Sequence, residues 1–308
     1  MHEYVIQTHG LTRYFGTKKV VDMLDISVPR GCIFGFLGRN GAGKSTTIRM
    51  LLGLLEPTRG TASVLGHDSR RLPPEVRARI GYLAEGHHVY GWMTLRECGR
   101  FQASFYPKWN HDIFEAILQH FHLDPRASAR TLSRGERAGL CLALTLAPEP
   151  ELLVLDDPAL GLDPVARRSL LESMVYVTKA EKRTIFFSSH LLTDVERVAD
   201  RIAVVDRGVL RASCSVETFR NRVRQVVLRF KERPPPLADA PGLLHSFRTE
   251  SEVSLLFANY NGDTEKFLQN AGAERIEFVP IGLEDAFIGY VGERGEKTFF
   301  LQRTEAPQ

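Results

Sequence analysis

The segment that most constrains this chain is a glycine-rich run, Gly38-Arg39-Asn40-Gly41-Ala42-Gly43-Lys44-Ser45-Thr46. It fits the pattern G-x-x-x-x-G-K-[S/T], whose backbone N–H groups and lysine bind phosphate groups. The apolar residues 32–37 before it predict a short buried strand, and residues 44–52 after it predict a helix with one apolar face. A strand, a glycine loop and the positive end of a helix dipole together form a polyphosphate-binding site.

Composition and length exclude several classes of protein. The 308 residues suffice for one large domain and a small one, and 43% hydrophobic with 25% charged residues is ordinary for a soluble globular protein. A net charge of +3 is too small to indicate nucleic-acid binding. No apolar stretch approaches the ~18 residues that cross a bilayer, and the N-terminus has no signal-peptide pattern. The four cysteines form no CxxC pair, so we expect neither a zinc site nor disulfides, and a reducing, cytoplasmic setting.

Strands and helices alternate over much of the chain. Short β-like runs occur before residue 30 and at 61–65 and 80–83. Later strands and helices are predicted in alternation at 152–155, 164–179, 184–187, 191–198 and 202–205. This alternation predicts a parallel α/β sheet. Residues 87–147 interrupt it as a mainly helical insert, with helices predicted at 94–104, 110–121 and 135–146.

The character of the chain changes near residue 220. A strand-like stretch at 225–230 precedes Pro234-Pro235-Pro236, which predicts a stiff break. A strand, a helix, a strand and a helix are then predicted at 253–257, 263–270, 275–279 and 283–290. These elements predict a small C-terminal α+β domain.

Further motifs follow the glycine run in order. Leu152–Asp157 is a hydrophobic strand that ends in two carboxylates. A magnesium ion on phosphates needs a carboxylate at a strand tip, and Asp156 suits that role with the Ser45 hydroxyl as a second ligand. The other motifs are Leu132-Ser133-Arg134-Gly135-Glu136, Gly161-Leu162-Asp163-Pro164 and Ser188-Ser189-His190.

This ordered set resembles the ATP-binding subunit of ABC (ATP-binding cassette) transporters, over residues 3–215. The resemblance implies an α/β fold: a P-loop, RecA-like core with an antiparallel β subdomain and a helical insert at about 87–147. It implies an ABC-type ATP-binding domain over residues 1–219 and a C-terminal accessory α+β domain over residues 220–308.

The resemblance also implies roles for individual residues, with ATP and Mg²⁺ as cofactors. Lys44 would bind the β- and γ-phosphates, and Phe15, or its neighbour Tyr14, would stack on adenine. The nucleotide contacts in full are Phe15, Gly38, Asn40, Gly41, Ala42, Gly43, Lys44, Ser45, Thr46, Ser133 and Gly135. The metal ligands are Ser45, Asp156 and Glu85, and the catalytic residues are Asp157, His190 and Glu85, with His190 on the γ-phosphate.

The family works as a head-to-tail pair of such domains. ATP lies between the phosphate loop of one and the signature motif of the other, which corresponds here to Leu132–Glu136. Ser133 and the N–H of Gly135 would meet the γ-phosphate across that interface, and Asp163 lies in a loop that contacts the opposing subunit. Ser133-x-x-Glu136 also fits a helix capping box. Capping in the free subunit and phosphate contact in the pair are compatible.

Three departures from the family pattern matter. Asp157 stands where the family usually has Glu, and it is one methylene, ~1.5 Å, shorter, although a base must come within ~2.6–3.2 Å of its proton. Glu85 replaces a common Gln, and Arg134 and Glu136 replace the usual Gly and Gln of the signature. A basic third signature residue, and the run Leu283–Phe287, resemble the export-type branch whose permeases are separate chains.

We therefore expect an ATP-hydrolysing transporter subunit that lies peripherally on the cytoplasmic face of the cell membrane. Its expected partners are a transmembrane permease and a second cassette, identical or not, and we expect it to bind no nucleic acid. Exposed aromatic side chains, among them Tyr90, Trp92 and Phe105, are expected to contact the permease. His87 and His88 are expected in a solvated loop. Two alternatives stay open: an ATP-gated regulatory subunit with little hydrolysis, because Asp157 is short, and a soluble ABC-type ATPase acting on nucleic acid or ribosomes.

Overall fold

The computed structural model describes residues 3–181, 183–231, 234–235, 237, 240–258, 260–279 and 286–287. The chain divides into two compact units, Met1–Leu210 and Arg211–Gln308. None of the helices among the described residues is both long enough and apolar enough to cross a bilayer.

The first unit is built on one large sheet. Its strands are β1 (Tyr4–Phe15), β2 (Lys18–Leu24), β3 (Ser27–Pro29), β4 (Ile33–Leu37), β5 (Arg59–Val64), β6 (His67–Asp68), β7 (Ile80–Leu83), β8 (Leu152–Leu155), β9 (Thr184–Ser189), β10 (Arg201–Asp206) and β11 (Val209–Ser215), the last of which runs past the unit boundary. The sheet order is β6-β5-β1-β2-β11-β10-β4-β9-β8-β7, with β3 paired to β1.

The helices of this unit are α1 (Lys44–Leu51), α2 (Pro74–Arg77), α3 (Leu95–Ala103), α4 (His111–His120), α5 (Arg134–Leu146), α6 (Pro164–Glu181) and α7 (Leu192–Val198), and single 3-10 turns lie at Ser69–Arg71 and Ala129–Thr131. The predicted α/β class and the antiparallel subdomain are confirmed. Strand β1 pairs antiparallel with β2, β3 and β5, whereas β4, β7, β8, β9 and β10 pair in parallel.

The parallel strands position the functional residues. Every residue of β4, β8 and β9 is buried, as expected for strands with both faces covered. Their register places Leu37 beside Ser189 and Leu155 beside Phe187. The carboxyl ends of β4, β8 and β9 therefore meet at one edge of the sheet, and the residues that follow each strand lie together there.

The helical insert is formed by α3, α4 and α5. Thr94, Asn110 and Ser133 cap these helices, and the first and last form complete capping boxes with the glutamates three residues on. Phe114 and Leu118 of α4 pack with Leu140 and Ala143 of α5 in one buried cluster. The helix boundaries agree with the sequence prediction within one residue, since polar caps and apolar periodicity point to the same limits.

The second unit contains a smaller antiparallel sheet. Its described elements are α8 (Val216–Arg222), β12 (Arg224–Arg229), β13 (Leu243–Arg248), β14 (Glu252–Phe257), α9 (Gly262–Gln269) and β15 (Arg275–Val279), and the sheet order is β13-β14-β12-β15. Buried apolar residues of β12 and β14 form its core. The sequence-based boundary at 219/220 falls inside α8, and the two-domain assignment stays a prediction. Of the helix predicted at 283–290, residues 286–287 are helical, and the others lie outside the described residues.

Candidate nucleotide site

The glycine run joins the end of β4 to the start of α1. Gly43 is the N-cap of α1 with φ 100°, and a Cβ there would stand 2.6 Å from the Val20 carbonyl oxygen. Gly38 is similarly confined, because its Cβ would stand 2.6 Å from the Val205 carbonyl oxygen. Only glycine fits such close approaches of one backbone to another. The loop is therefore held against both neighbouring segments, with its amides at the start of a helix.

Lys44 is a nearly buried ammonium group, 7% exposed. Its Nζ donates hydrogen bonds to the carbonyl oxygens of Gly38 at 2.8 Å and Arg39 at 3.4 Å. Burial lowers the pKa of Lys44 below its usual value, and the charges of Asp157, Asp156 and Glu85 oppose that shift. A desolvated cation whose partners are loop carbonyls is placed to exchange them for phosphate oxygens.

Asp156 receives two hydroxyl donors at the tip of β8. The Ser45 Oγ lies 3.1 Å and the Ser188 Oγ 2.8 Å from the same oxygen, Asp156 Oδ1. This oxygen-only donor set fits Mg²⁺, which prefers carboxylate and hydroxyl ligands and completes its shell with phosphates and water. Among the described residues, no group of three or more His, Cys, Asp or Glu side chains could hold a metal by itself. Ser45 and Asp156 are thus the residues that would hold the ion together with a nucleotide.

Asp157 follows in a left-handed conformation, with φ 45°. Its backbone N–H donates to the Ser188 Oγ at 2.8 Å, and its Oδ2 lies 2.7 Å from the Nδ1 of His190. A carboxylate oxygen can only accept, so Nδ1 carries the proton and the Nε2 of His190 stays available for another partner. Ser188, a residue to which sequence reasoning gave no role, therefore links both aspartates.

These residues border one cleft of about 570 Å³, lined by Lys18, Lys19, Val20, Asn40, Gly41, Gly43, Lys44, Ser45, Thr46, Glu85, Asp156, Asp157 and Arg207. Most of the predicted phosphate-loop residues, both aspartates and Glu85 are thus brought together. His190 reaches the cleft through its bond to Asp157. Sequence reasoning missed Lys18, Lys19 and Arg207, which belong to no motif.

Phe15 and the signature residues lie elsewhere. Phe15 ends β1, is 47% exposed and carries the Arg13 guanidinium over its ring at 4.8 Å; it does not line the cleft. Ser133 caps α5 and Gly135 lies in its first turn, and neither is among the residues that line the cleft. A Cβ on Gly135 would stand 2.7 Å from the Cβ of Ala166, so the signature packs closely on the start of α6, which Asp163 caps through the N–H groups of residues 165 and 166.

The prediction of a solvated His87 is wrong. This residue is buried with φ 50°, and its Nε2 lies 2.9 Å from the Pro158 carbonyl oxygen. Burial lowers the pKa of His87, so the neutral ring donates this bond. The loop after Glu85 is thereby tied to the residue that follows Asp157, a long-range contact that the His-His pair in the sequence did not indicate.

A cluster of aromatic rings is exposed on the helical insert. Tyr90 contacts the rings of Trp92 and Phe101, and Phe101 contacts Phe105. All four are exposed, and Trp92 keeps 78% of its surface. We name Tyr90, Trp92, Phe101 and Phe105 the aromatic surface. Large contiguous apolar patches on a protein surface are typical of interaction sites.

Comparisons with known proteins identify the family of the chain. The sequence profile described as "ABC transporter" matches residues 21–160. The chain is 30% identical over 298 residues to the bacitracin transport ATP-binding protein BcrA of Bacillus licheniformis, covering 94% of this chain and 97% of that protein. It is 32% identical over 297 residues to the Nod factor export ATP-binding protein I of Cupriavidus metallidurans, covering 94% and 97%.

A solved structure of an ATP-binding subunit of an ABC transporter is also similar. It superposes with a TM-score of 0.64 at 30% identity, covering 70% of this chain and 92% of that one. The alignments with the two sequence relatives cover 94% of this chain, so they include part of the second unit as well as the residues of the nucleotide cleft. The chain belongs to the family of ATP-binding subunits of ABC transporters.

Proposed function

We propose that this chain binds ATP with Mg²⁺ in the cleft beside Lys44, hydrolyses it, and thereby powers export of a substrate through a separate membrane permease. The observation that carries this proposal is the convergence of Lys44, Ser45, Asp156 and Asp157 on one cleft. A buried cation, a helix N-terminus and two strand-tip carboxylates are the parts that phosphoryl transfer to water needs. The relative named for Nod factor export supports the direction of transport.

Lys44 and the loop amides would bind the β- and γ-phosphates. The triphosphate would replace the carbonyl oxygens that now accept from the Lys44 Nζ. Mg²⁺, when bound at Ser45 and Asp156, would neutralise charge on the phosphate oxygens. Glu85 lines the same cleft and can approach the metal or the attacking water.

Asp157 and His190 would act on the attacking water. The Asp157 carboxylate holds the His190 ring through Nδ1, which leaves Nε2 to accept a proton or to meet the γ-phosphate. The short Asp157 side chain would thus work through His190 or through its own second oxygen. This arrangement favours slow hydrolysis, and it is the observation that supports the second candidate, an ATP-gated regulatory subunit with little turnover.

Two cassettes would close around ATP. In this chain Ser133 and Gly135 lie outside the set that lines the cleft beside Lys44, so a second cassette, identical or a sibling, would have to supply the signature. The capping box at Ser133 would keep the α5 N-terminus ready for a γ-phosphate.

The aromatic surface would bind the permease at the cytoplasmic face of the membrane. Its rings are exposed and adjacent, and aromatic anchors dominate the binding energy of such interfaces. The loop that leads to it from Glu85 also carries His87, which bonds Pro158 next to Asp157. Permease binding at this surface could therefore change the hydrolysis rate.

The test is ATPase activity with and without the permease. The chain is combined with a candidate permease, a polytopic membrane protein, and phosphate release is measured in detergent or in liposomes. The proposal predicts turnover that rises with the permease, and a Trp92→Ala/Phe105→Ala double variant that keeps the turnover of the isolated chain but loses the stimulation. Absence of turnover with and without the permease, despite ATP binding, would favour the regulatory subunit.

A further inference from the structure

The nucleotide cleft has a second group of cations that belongs to none of the motifs. Lys18, Lys19 and Arg207 line it together with the phosphate loop. Lys19 is already engaged, because its Nζ pairs with Asp22 at 2.8 Å. Among the described residues, Lys18 and Arg207 form no ion pair with a carboxylate within 4.0 Å, and both side chains are exposed. Two uncompensated cations therefore face the space beside Gly41 and Gly43.

The sheet order separates these cations from the carboxylates. The phosphate loop follows β4; β10, β11 and β2 lie on one side of that strand, and β9, β8 and β7 lie on the other. Lys18 begins β2, and Arg207 lies in the turn between β10 and β11. Glu85, Asp156 and Asp157 follow β7 and β8. The cleft is therefore positive on one side of the phosphate loop and negative on the other.

The turn that carries Arg207 is fixed to the phosphate loop. The N–H of Gly208 donates to the carbonyl oxygen of Ala42 at 3.1 Å, and the N–H of Asp22 donates to the carbonyl oxygen of Gly208 at 2.8 Å. The turn has only two residues, both with positive φ, 49° at Arg207 and 82° at Gly208. Such turns favour Asn-Gly, and an arginine at the first position is strained.

Strained backbone conformations are often found at binding sites, so strain beside a cleft motivates a functional hypothesis for that side chain. Asparagine would satisfy this backbone better than arginine, so the strained turn points to a role for the guanidinium group. That group can donate several hydrogen bonds in a plane to phosphate oxygens.

We propose that Arg207 and Lys18 form a second phosphate-binding wall, which contacts the nucleotide at its α-phosphate and ribose end. This inference rests on the proposed function, since it requires a nucleotide in the same cleft. The opposite polarity of the two sides orients the nucleotide: the γ-phosphate and Mg²⁺ lie toward Asp156 and Asp157, and the α-phosphate lies toward Arg207. Both cations bind parts that ATP and ADP share.

The test compares binding of ATP and ADP to the full chain by titration calorimetry. Arg207→Asn should weaken both nucleotides by the same factor, about fivefold, the size expected for an exposed ion pair. Lys18→Gln should have a smaller effect of the same kind, and Arg207→Lys should keep part of the affinity, because it retains the charge but not the planar donors. The weakening by Arg207→Asn should shrink as salt rises from about 0.05 to 0.5 M, because solvent ions screen exposed charges.

Urea unfolding distinguishes the loss of a nucleotide contact from damage to the fold. Arg207→Asn should raise the urea midpoint of unfolding, because asparagine relieves the strained turn, while it weakens nucleotide binding. Arg126→Gln, an exposed residue in the helical insert with the same change of charge, is the matched control and should change neither nucleotide affinity.

Several results would overturn the inference. The inference fails if Arg207→Asn and Lys18→Gln bind both nucleotides as tightly as Arg126→Gln does. It also fails if the variants lose affinity for ATP but not for ADP. A loss of affinity accompanied by a lower urea midpoint, and shared by Arg207→Lys, would assign Arg207 a structural role instead. Lys44→Ala distinguishes the two proposals: if it abolishes ATP binding while the Arg207 variants bind normally, the proposed function stands and this inference fails.

Discussion

Asp157→Asn is the substitution that separates ATP binding from hydrolysis in this chain. Asparagine keeps the size of the side chain, and its Oδ1 can still accept the hydrogen bond from the Nδ1 of His190, which now spans 2.7 Å. The substitution removes the negative charge and replaces one acceptor oxygen by an NH2 donor. That charge stabilises the His190 ring when it takes up a proton, or accepts the proton from water itself.

The magnitudes follow from the geometry. General-base assistance contributes about 10²–10⁴ in rate, so turnover should fall by about 100-fold or more. Asp157 is also one of three carboxylates whose charges act on Lys44, and these charges repel a bound triphosphate. Removing one of them should leave ATP affinity unchanged or tighten it by about 1 kcal/mol, the size of a charge interaction across a partly hydrated cleft.

The assay is single-turnover hydrolysis at saturating Mg-ATP, with the dissociation constant measured separately by fluorescence of a labelled ATP. Asp157→Glu serves as the comparison, since its carboxylate reaches about 1.5 Å further and should raise turnover if the cleft accommodates it. Parental turnover in the Asn variant would refute the role of Asp157. A loss of ATP affinity as large as the loss of rate would also refute it, because Asp157 would then be needed for binding.

Two further predictions concern stability. Burial favours the neutral form of His87 and places its pKa below the ordinary 6.5. Below about pH 6.5 the unfolded chain therefore binds a proton that the folded chain does not, and the free energy of unfolding should fall as pH drops. His87→Gln should flatten this pH dependence in urea unfolding, and an unchanged pH dependence would contradict the account. The Arg167 Nε lies 2.5 Å from Asp194, whose side chain is 4% exposed, so Arg167→Met should cost about 3 kcal/mol at pH 7 by leaving a buried carboxylate unpaired. The Arg167→Met/Asp194→Asn double variant should recover most of that loss, and no recovery would show that packing dominates.

Much of the first unit could be predicted from the sequence. Caps such as Thr94 and Ser133 and the continuous apolar strands specify local structure strongly, because side-chain hydrogen bonds and burial act within a few residues. Strand β13 was missed, because the stretch from His245 to Arg248 is exposed and has no apolar alternation. Its place in the sheet comes from backbone pairing with β14, which no local pattern records.

Part of the candidate site could likewise be predicted from the sequence and part could not. The phosphate loop and both aspartates could be located because their chemistry is carried by short contiguous motifs. The cations at Lys18 and Arg207 and the contact from His87 to Pro158 depend on segments far apart in the chain. The sequence around a single lysine, arginine or histidine does not predict which distant segment it will contact. These contacts therefore become known only from the folded structure.

Equilibrium binding of Mg-ATP to the purified chain, compared with Lys44→Ala, tests the central claim most directly. The account predicts that the parent chain binds ATP and that Lys44→Ala loses at least tenfold in affinity, about 1.4 kcal/mol or more, while far-UV circular dichroism and the urea midpoint show an intact fold. The buried Nζ and its two carbonyl partners make this side chain the main counter-charge for the phosphates. A folded Lys44→Ala variant that binds Mg-ATP as tightly as the parent would contradict the account.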